Sequence, residues 1–288
     1  MTQSFQVSSF AHGSRPDTDV DATLTFITPQ VEKPVFHSQA LTGGEAVSFF
    51  DVEDHDVTVA DLRPFANDFV LDREGFAFRR APSAVSDLYD DRAVANAYYE
   101  EIRSLLEEEF DASRVEIFDA TRRSDGGAGA ANPDGRRGAA TRIHVDYTAK
   151  SGPQRAGDVL GEEEYDRLIQ NGARIVQVNV WRPIKGPVKR APLALADASS
   201  VAPGDLVATD QVFPDRVGEI YHLVHNPDQR WYYAPDMEPE EVLLIKGWDS
   251  ADDGRARFTP HTAFALPDQT EDTPPRESIE IRTYVVIE

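Results

Sequence analysis

No cysteine occurs among the 288 residues. That excludes a disulfide framework, a thiolate metal site and a cysteine nucleophile. With only two methionines, a Met-rich docking surface is also excluded. No apolar run approaches the roughly 20 residues of a membrane-spanning helix, and the N-terminus lacks the apolar stretch of a signal peptide. The expectation is a cytoplasmic protein. Basic residues are scarce: 29 Lys and Arg stand against 51 Asp and Glu, a formal net charge of −22. So acidic a chain repels phosphate backbones and anionic membranes, which leaves a small molecule as the expected partner and the oligomeric state open. Most of the acid serves solubility. There is no Gly-x-Ser-x-Gly elbow, which disfavours a serine hydrolase. The glycines of 124–135 are not followed by Gly-Lys-Ser/Thr, so they are no phosphate loop.

What is present is a globular composition, 40% hydrophobic and 28% charged, enough for a sizeable core. Short alternating segments dominate. Strands are expected at 22–27, at 48–52 and 56–60 either side of a turn, and in a hairpin of 69–71 with 76–78. A helix follows, capped by Ser86 or Asp87 and running towards Phe110, with Val94, Ala97, Tyr98, Ile102, Leu105 and Leu106 at helical spacing. Residues 115–120 resume as strand, 124–135 read as a flexible loop, and 161–169 as a short helix. The remainder is β-rich, with strands at 141–148, 175–183, 193–197, 205–209, 219–224, 229–234, 241–246, 259–266 and 278–287, punctuated by Pro and Gly. Helical patterns between strands are missing, so the expected fold is mainly β with flanking helices: a double-stranded β-helix, or cupin-like jelly roll. The expected organisation is a single domain over 1–288. Residues 1–45 form an N-terminal extension, 46–140 the N-terminal strands and helix, and 141–288 the jelly-roll core.

The chemistry centres on Thr141 to Thr148. In a strand, residues two apart share a face, so His144 and Asp146 project side by side. A second imidazole would complete two histidines and one carboxylate on one face of a metal, the arrangement of non-haem Fe(II) oxygenases. The candidates are His222, His225 and His261. His12, His37 and His55 have no carboxylate in strand register that suggests a site and read as ordinary surface or loop histidines. In the last strand Arg276, Ser278, Glu280 and Arg282 share a face. An arginine and a serine two apart can grip one carboxylate. A dicarboxylate that chelates a metal at one end needs such an anchor at the other.

His-x-Asp, a distal histidine and then Arg-x-Ser resembles the pattern of the Fe(II)/2-oxoglutarate-dependent dioxygenases. Five ordered blocks, 179–184, 231–237, 246–250, 259–264 and 275–282, resemble a secondary-metabolism subgroup. It includes a cephamycin methoxylation component, a gibberellin desaturase and a fungal endoperoxide-forming oxygenase. The resemblance runs from about residue 45 to the end. It implies Fe(II) held by His144, Asp146 and a distal histidine, with His261 favoured over His225 and His222. It also implies 2-oxoglutarate anchored by Arg276 and Ser278, with Arg282 in reserve, and O2 as oxidant. One departure is the interval of 15 residues from His261 to Arg276, longer than the family pattern. Tyr147, Asn179, Trp181 and Tyr232 are the expected substrate-lining residues. Lys246 and Asp249 either bind substrate or pair with each other. The expected reaction is oxidation of an unactivated C–H bond of a small secondary metabolite, by hydroxylation, desaturation or cyclisation. The alternatives are a cupin-like metalloenzyme that does not use 2-oxoglutarate and a non-catalytic jelly-roll binding domain.

Overall fold

Alternation along two long strands sets the architecture. In β10 (Arg174–Pro183) and β17 (Glu277–Ile287), Val176, Val178, Val180, Ile279, Ile281 and Val285 face one way. They pack on Tyr98, Ile102 and Leu106, the last two from helix α3 (Tyr99–Phe110). The alternate positions, Gln177, Asn179 and Trp181 with Ser278, Glu280 and Arg282, turn inwards and are all buried or nearly so. A buried polar group is costly unless paired, so this inner face is where the fold departs from a purely apolar core.

The computed structural model describes residues 18–42, 46–133 and 135–288; His12 lies outside them. The remaining strands are β1 (Val20–Ile27), β2 (Val35–His37), β3 (Val47–Phe49), β4 (Val52–Asp61), β5 (Phe76–Arg80), β6 (Arg114–Ser124), β7 (Ala130–Asn132), β8 (Gly135–Arg137), β9 (His144–Val145), β11 (Leu193–Ala196), β12 (Leu206–Val212), β13 (Val217–Leu223), β14 (Trp231–Tyr233), β15 (Glu241–Asp249) and β16 (His261–Ala263). One sheet has ten strands in the order β1-β4-β14-β11-β16-β9-β13-β12-β2-β3. The second has five, β5-β15-β10-β17-β6, and β7 pairs only with β8. The large sheet curls back on itself, so that Thr25 of β1 bridges Arg142 just before β9. Between the two sheets lie Leu62, Phe76, Trp181, Leu195, Leu243 and Ile245. A separate cluster, with Phe26, Val59, Ile143, Ala194 and Leu223, binds β1 and β4 to the large sheet. Helices α4 (Ser151–Leu160) and α5 (Glu162–Gln170) cover Ile175, Trp248, Tyr284 and Val286.

Several local expectations are corrected. The hairpin of 69–71 with 76–78 does not form: 66–75 is a series of turns, and β5 pairs antiparallel with β15. A buried ion cluster holds those turns. Lys246 Nζ donates to Asp72 Oδ1 and Asp249 Oδ2, both at 2.8 Å, and Arg174 reaches both acids as well. Lys246 and Asp249 thus pair with each other. β4 runs unbroken through 54–56, because Thr23 and Thr25 donate to Asp56 and Asp54 across the ladder at 2.7 Å; the turn falls at 50–51. The long helix starts at Asp91, capped by Asp90 rather than Ser86 or Asp87, and passes through a π-helical turn over Val94–Tyr98. The segment expected as a loop at 124–135 contains β7 and runs into β8, with which it pairs. Asn132 docks it, its side chain accepting from Arg122 N (2.7 Å) and donating to Arg122 O (2.9 Å). Polar pairing substitutes there for the missing apolar contacts. The strand expected at 141–148 contracts to His144–Val145.

Helix α4 is absent from the sequence expectation, because Ser151-Gly152-Pro153 reads as a break. It forms because Thr148 Oγ1 accepts from Lys150 N and Ser151 N at 3.1 and 3.0 Å, and because Gly152 lets Trp248 lie flat on the helix. A Cβ at Gly152 would sit 2.3 Å from Trp248 Cγ. Gly152→Ala is therefore expected to destabilise the protein by about 1–3 kcal/mol, read as a lowered urea midpoint with an unchanged m-value. An unaltered midpoint would show that the indole shifts without cost.

Candidate active site

Three adjacent strands of the large sheet bring three histidines into one row. His261 of β16 is the register partner of His144 in β9, and His144 is the partner of His222 in β13. Register partners in neighbouring strands share a face, so all three rings look between the sheets. Asp146 follows two residues after His144. One ligand atom from each of His144, Asp146 and His261 lies within 4.8 Å of the others. His144 Nε2 is 3.4 Å from Asp146 Oδ1.

Each ring is oriented by its own chain. Nδ1 of His144 lies 2.9 Å from the Arg142 carbonyl, and Nδ1 of His261 lies 3.0 Å from the Thr259 carbonyl. A carbonyl only accepts, so both Nδ1 atoms carry the hydrogen and both Nε2 lone pairs are left for the centre. Asp146 is held from the opposite sheet: its Oδ2 accepts from Asn179 Nδ2 at 2.8 Å and Arg282 Nε at 3.0 Å. Oδ1 remains for a metal. Burial pushes the Asp146 carboxyl up, but the Arg282 guanidinium and the two imidazoles outweigh it and hold it well below the ordinary range. Burial, reinforced by His144, lowers His261. Asp146 is therefore a carboxylate and His261 a neutral imidazole at neutral pH, the states in which each can bind a metal.

A family model described as "Oxidoreductase/YMDC permease-like domain" matches residues 24–286. Hydroxylase/desaturase efuI of Hormonema carpetanum is 33% identical over 250 residues, which cover 80% of this chain and 82% of that protein. Fe(II)/2-oxoglutarate-dependent dioxygenase nvfI of Aspergillus novofumigatus is 28% identical over 95% of this chain and 98% of that one. A solved structure of the iron and alpha-ketoglutarate-dependent endoperoxidase NvfI superposes with a TM-score of 0.82, at 27% identity, over 94% of this chain and 99% of its own. The chain belongs to the Fe(II)/2-oxoglutarate-dependent dioxygenases. Its fold is the double-stranded β-helix of that family, and its cofactors are Fe(II), 2-oxoglutarate and O2. Among the described residues, no helix is long and apolar enough to cross a membrane.

Beside the triad of this dioxygenase runs a narrow cavity of about 20 Å³, lined among others by Arg123, Trp181, Thr262, Arg276, Glu280 and Arg282. Side chains here must move to admit a five-carbon diacid. Arg276 is 3% exposed. Its Nη1 donates to the Ala191 carbonyl at 2.8 Å, its backbone N to Asp125 at 2.7 Å, and its guanidinium carbon lies 5.6 Å from the Trp181 ring centre. Its Nε has no partner. Burial, with Arg123 adding, brings its pKa down to about 10, so it stays cationic at neutral pH. The last strand starts at Glu277, so Arg276 stands just ahead of it rather than in it, and Ser278, buried in β17, is not part of the cavity lining. Arg282 is occupied by Asp146, Asp119 and Glu280.

The other histidines fall elsewhere. His225 stacks on His55 with ring centres 3.8 Å apart, against Phe26. His222 Nδ1 sits 2.9 Å from Thr209 Oγ1, and burial brings the ring down to about 3. Trp181 lines the cavity, whereas Asn179 stands behind Asp146 and is itself oriented by Gln177 at 2.6 Å. Tyr147 lies against the Trp248–Tyr284 cluster. Tyr232 packs on Phe69 and Phe76, outside the cavity lining. Sequence reasoning missed Arg123 and gave Asn179 a different role. The signal for Asn179 was its register opposite Arg282, which no single strand reveals. Removing such a support for a ligand typically costs 10–100-fold in metal affinity. Asn179→Ala is accordingly expected to weaken Fe(II) binding by about 10–100-fold with an unchanged circular dichroism spectrum, measured by competition with a chelator.

Proposed function

We propose that the chain is one dioxygenase domain in which His144, Asp146 and His261 hold Fe(II) and Arg276 with Ser278 anchors the far carboxylate of 2-oxoglutarate. The observation that carries the metal assignment is the convergence of three ligand atoms within 4.8 Å. The donor set fits the ion: two Nε2 lone pairs and Oδ1, with the second carboxylate oxygen already bonded to Asn179 and Arg282. A facial set of this kind leaves the other coordination positions open. Bound iron supplies the redox chemistry that couples oxidative decarboxylation of 2-oxoglutarate to oxidation of a C–H bond.

The chain's own residues do the rest. Arg276, just ahead of β17, is a buried cation with an unpartnered Nε, and Ser278 is buried two residues further on. Together they suit a carboxylate better than any neutral group. Trp181 walls the cavity and limits water. Arg282 and Asn179 fix the Asp146 carboxylate, so that its orientation is set before the ion arrives. The substrate is a small secondary metabolite, and placement of its C–H relative to the iron decides among hydroxylation, desaturation and ring formation. The hydroxylase/desaturase and the endoperoxidase to which the chain is similar span these outcomes. The lack of cysteine and the charge of −22 suit a cytoplasmic enzyme whose partner is a small molecule.

A charge-assisted hydrogen bond contributes about 1.5–3 kcal/mol. Arg276→Ala should therefore weaken 2-oxoglutarate by about 10–100-fold, read from an anaerobic titration of the Fe(II) protein, while iron content stays at the wild-type level. Unchanged co-substrate affinity would place the anchor elsewhere.

A further inference from the structure

The row of histidines continues past the proposed iron ligands. His222, one strand beyond His144, is 3% exposed and faces the same interior. Its ring is fixed through Thr209, and the Phe50 ring lies 5.0 Å from it. Phe50 also meets Arg142, two residues before His144. Its guanidinium carbon lies 5.2 Å from the Phe50 ring centre and 5.3 Å from that of Phe36.

Arg142 has no acidic partner. Other interior arginines are satisfied, by carboxylates (Arg282 with Asp146, Arg174 with Asp249, Arg190 with Asp125, Arg63 with Glu241) or, for Arg182 and Arg276, by backbone carbonyls. Among the described residues none accepts a hydrogen bond from the Arg142 side chain, and no acid is close enough to act on its charge. In so acidic a chain, a half-buried arginine beside the active site that meets no acid among the described residues stands out. The two phenyl rings favour its charge through their faces, and they leave the in-plane N–H fork for a planar anion.

We propose that Arg142, flanked by Phe36 and Phe50, binds the carboxylate of the organic substrate, and that the dioxygenase therefore acts on a small carboxylic acid with an apolar skeleton. Phe50 and the His222 ring form the floor along which that skeleton reaches the iron. Two residues of strand span at most about 7 Å, so the oxidised carbon stands several bonds from the carboxylate. The site is distinct from the co-substrate anchor: Arg276 lines the cavity next to His261, and Arg142 does not. The proposal rests on the assignment of iron to His144, Asp146 and His261, and its test separates the two.

Anaerobic protein loaded with Fe(II) and 2-oxoglutarate is titrated by calorimetry with 3-phenylpropanoate and with its neutral amide. The wild type is expected to prefer the acid by about tenfold or more. Arg142→Gln should bring acid and amide to within about twofold, and Arg142→Lys should retain part of the preference. The 2-oxoglutarate affinity should be unchanged in both variants. Equal binding of acid and amide by the wild type, absence of binding by both, or an intact preference in Arg142→Gln would overturn the proposal. So would a loss of 2-oxoglutarate affinity in Arg142→Gln, which would give Arg142 to the co-substrate. If Arg142→Gln does not fold, by circular dichroism, an Arg142→Lys preference equal to that of Phe50→Leu and the wild type would overturn it too. Failure of the iron assignment is seen separately, as wild-type protein that takes up neither Fe(II) nor 2-oxoglutarate.

Discussion

One carboxylate oxygen joins the two sheets. Asp146 leaves β9 on the large sheet, and its Oδ2 is bonded by Asn179 and Arg282, register partners on the small one. A charge in that position is expensive to desolvate. It is tolerable because Arg282 supplies a full opposite charge and Asn179 a second donor. Remove either and the carboxylate loses part of its hold, which loosens the proposed metal site. The spacing of the sheets, the rotamer of Asp146 and the direction of Oδ1 are thus fixed by one set of contacts.

That pin explains an oddity of the core. The outer faces of β10 and β17 carry valine and isoleucine against α3, with Thr283 between Ile281 and Val285. Their inner faces carry Gln177, Asn179, Ser278, Glu280 and Arg282 at the same depth. Stability alone would favour apolar side chains at these positions. The interior instead grades from an apolar end at Phe76, Leu243 and Ile245 to a polar centre, and the chemistry sits at the boundary.

Much of this was legible in the sequence, and the limits have physical causes. Alternation exposed β10 and β17, and strand periodicity put His144 beside Asp146. Periodicity cannot say which distant histidine joins them, because that depends on strand order: β16 happens to flank β9 on one side and β13 on the other. Arg282 was readable as sharing a face with Arg276, but its contact with Asp146 depends on a second sheet. Helix α4 hid behind a Ser-Gly-Pro start whose meaning is Trp248, far along the chain. The false hairpin at 69–78 had sound local signals. It lost to the pairing of β5 with β15 and to the ion cluster at Asp72.

That cluster reaches the active site through a series of short links. Lys246 Nζ also donates to the Ala256 carbonyl at 2.9 Å, Ala256 N to the Asp72 carbonyl at 2.9 Å, and Thr259 Oγ1 to the Gly75 carbonyl at 2.7 Å. Thr259 in turn orients His261. Lys246 and Asp249 are 0% exposed, out of reach of the mobile ions that screen surface pairs within about 10 Å at 0.1 M salt. The distal imidazole is therefore tied to one ion pair, Lys246–Asp249, that salt barely reaches, and to a second, at the half-exposed Asp72, that salt does reach.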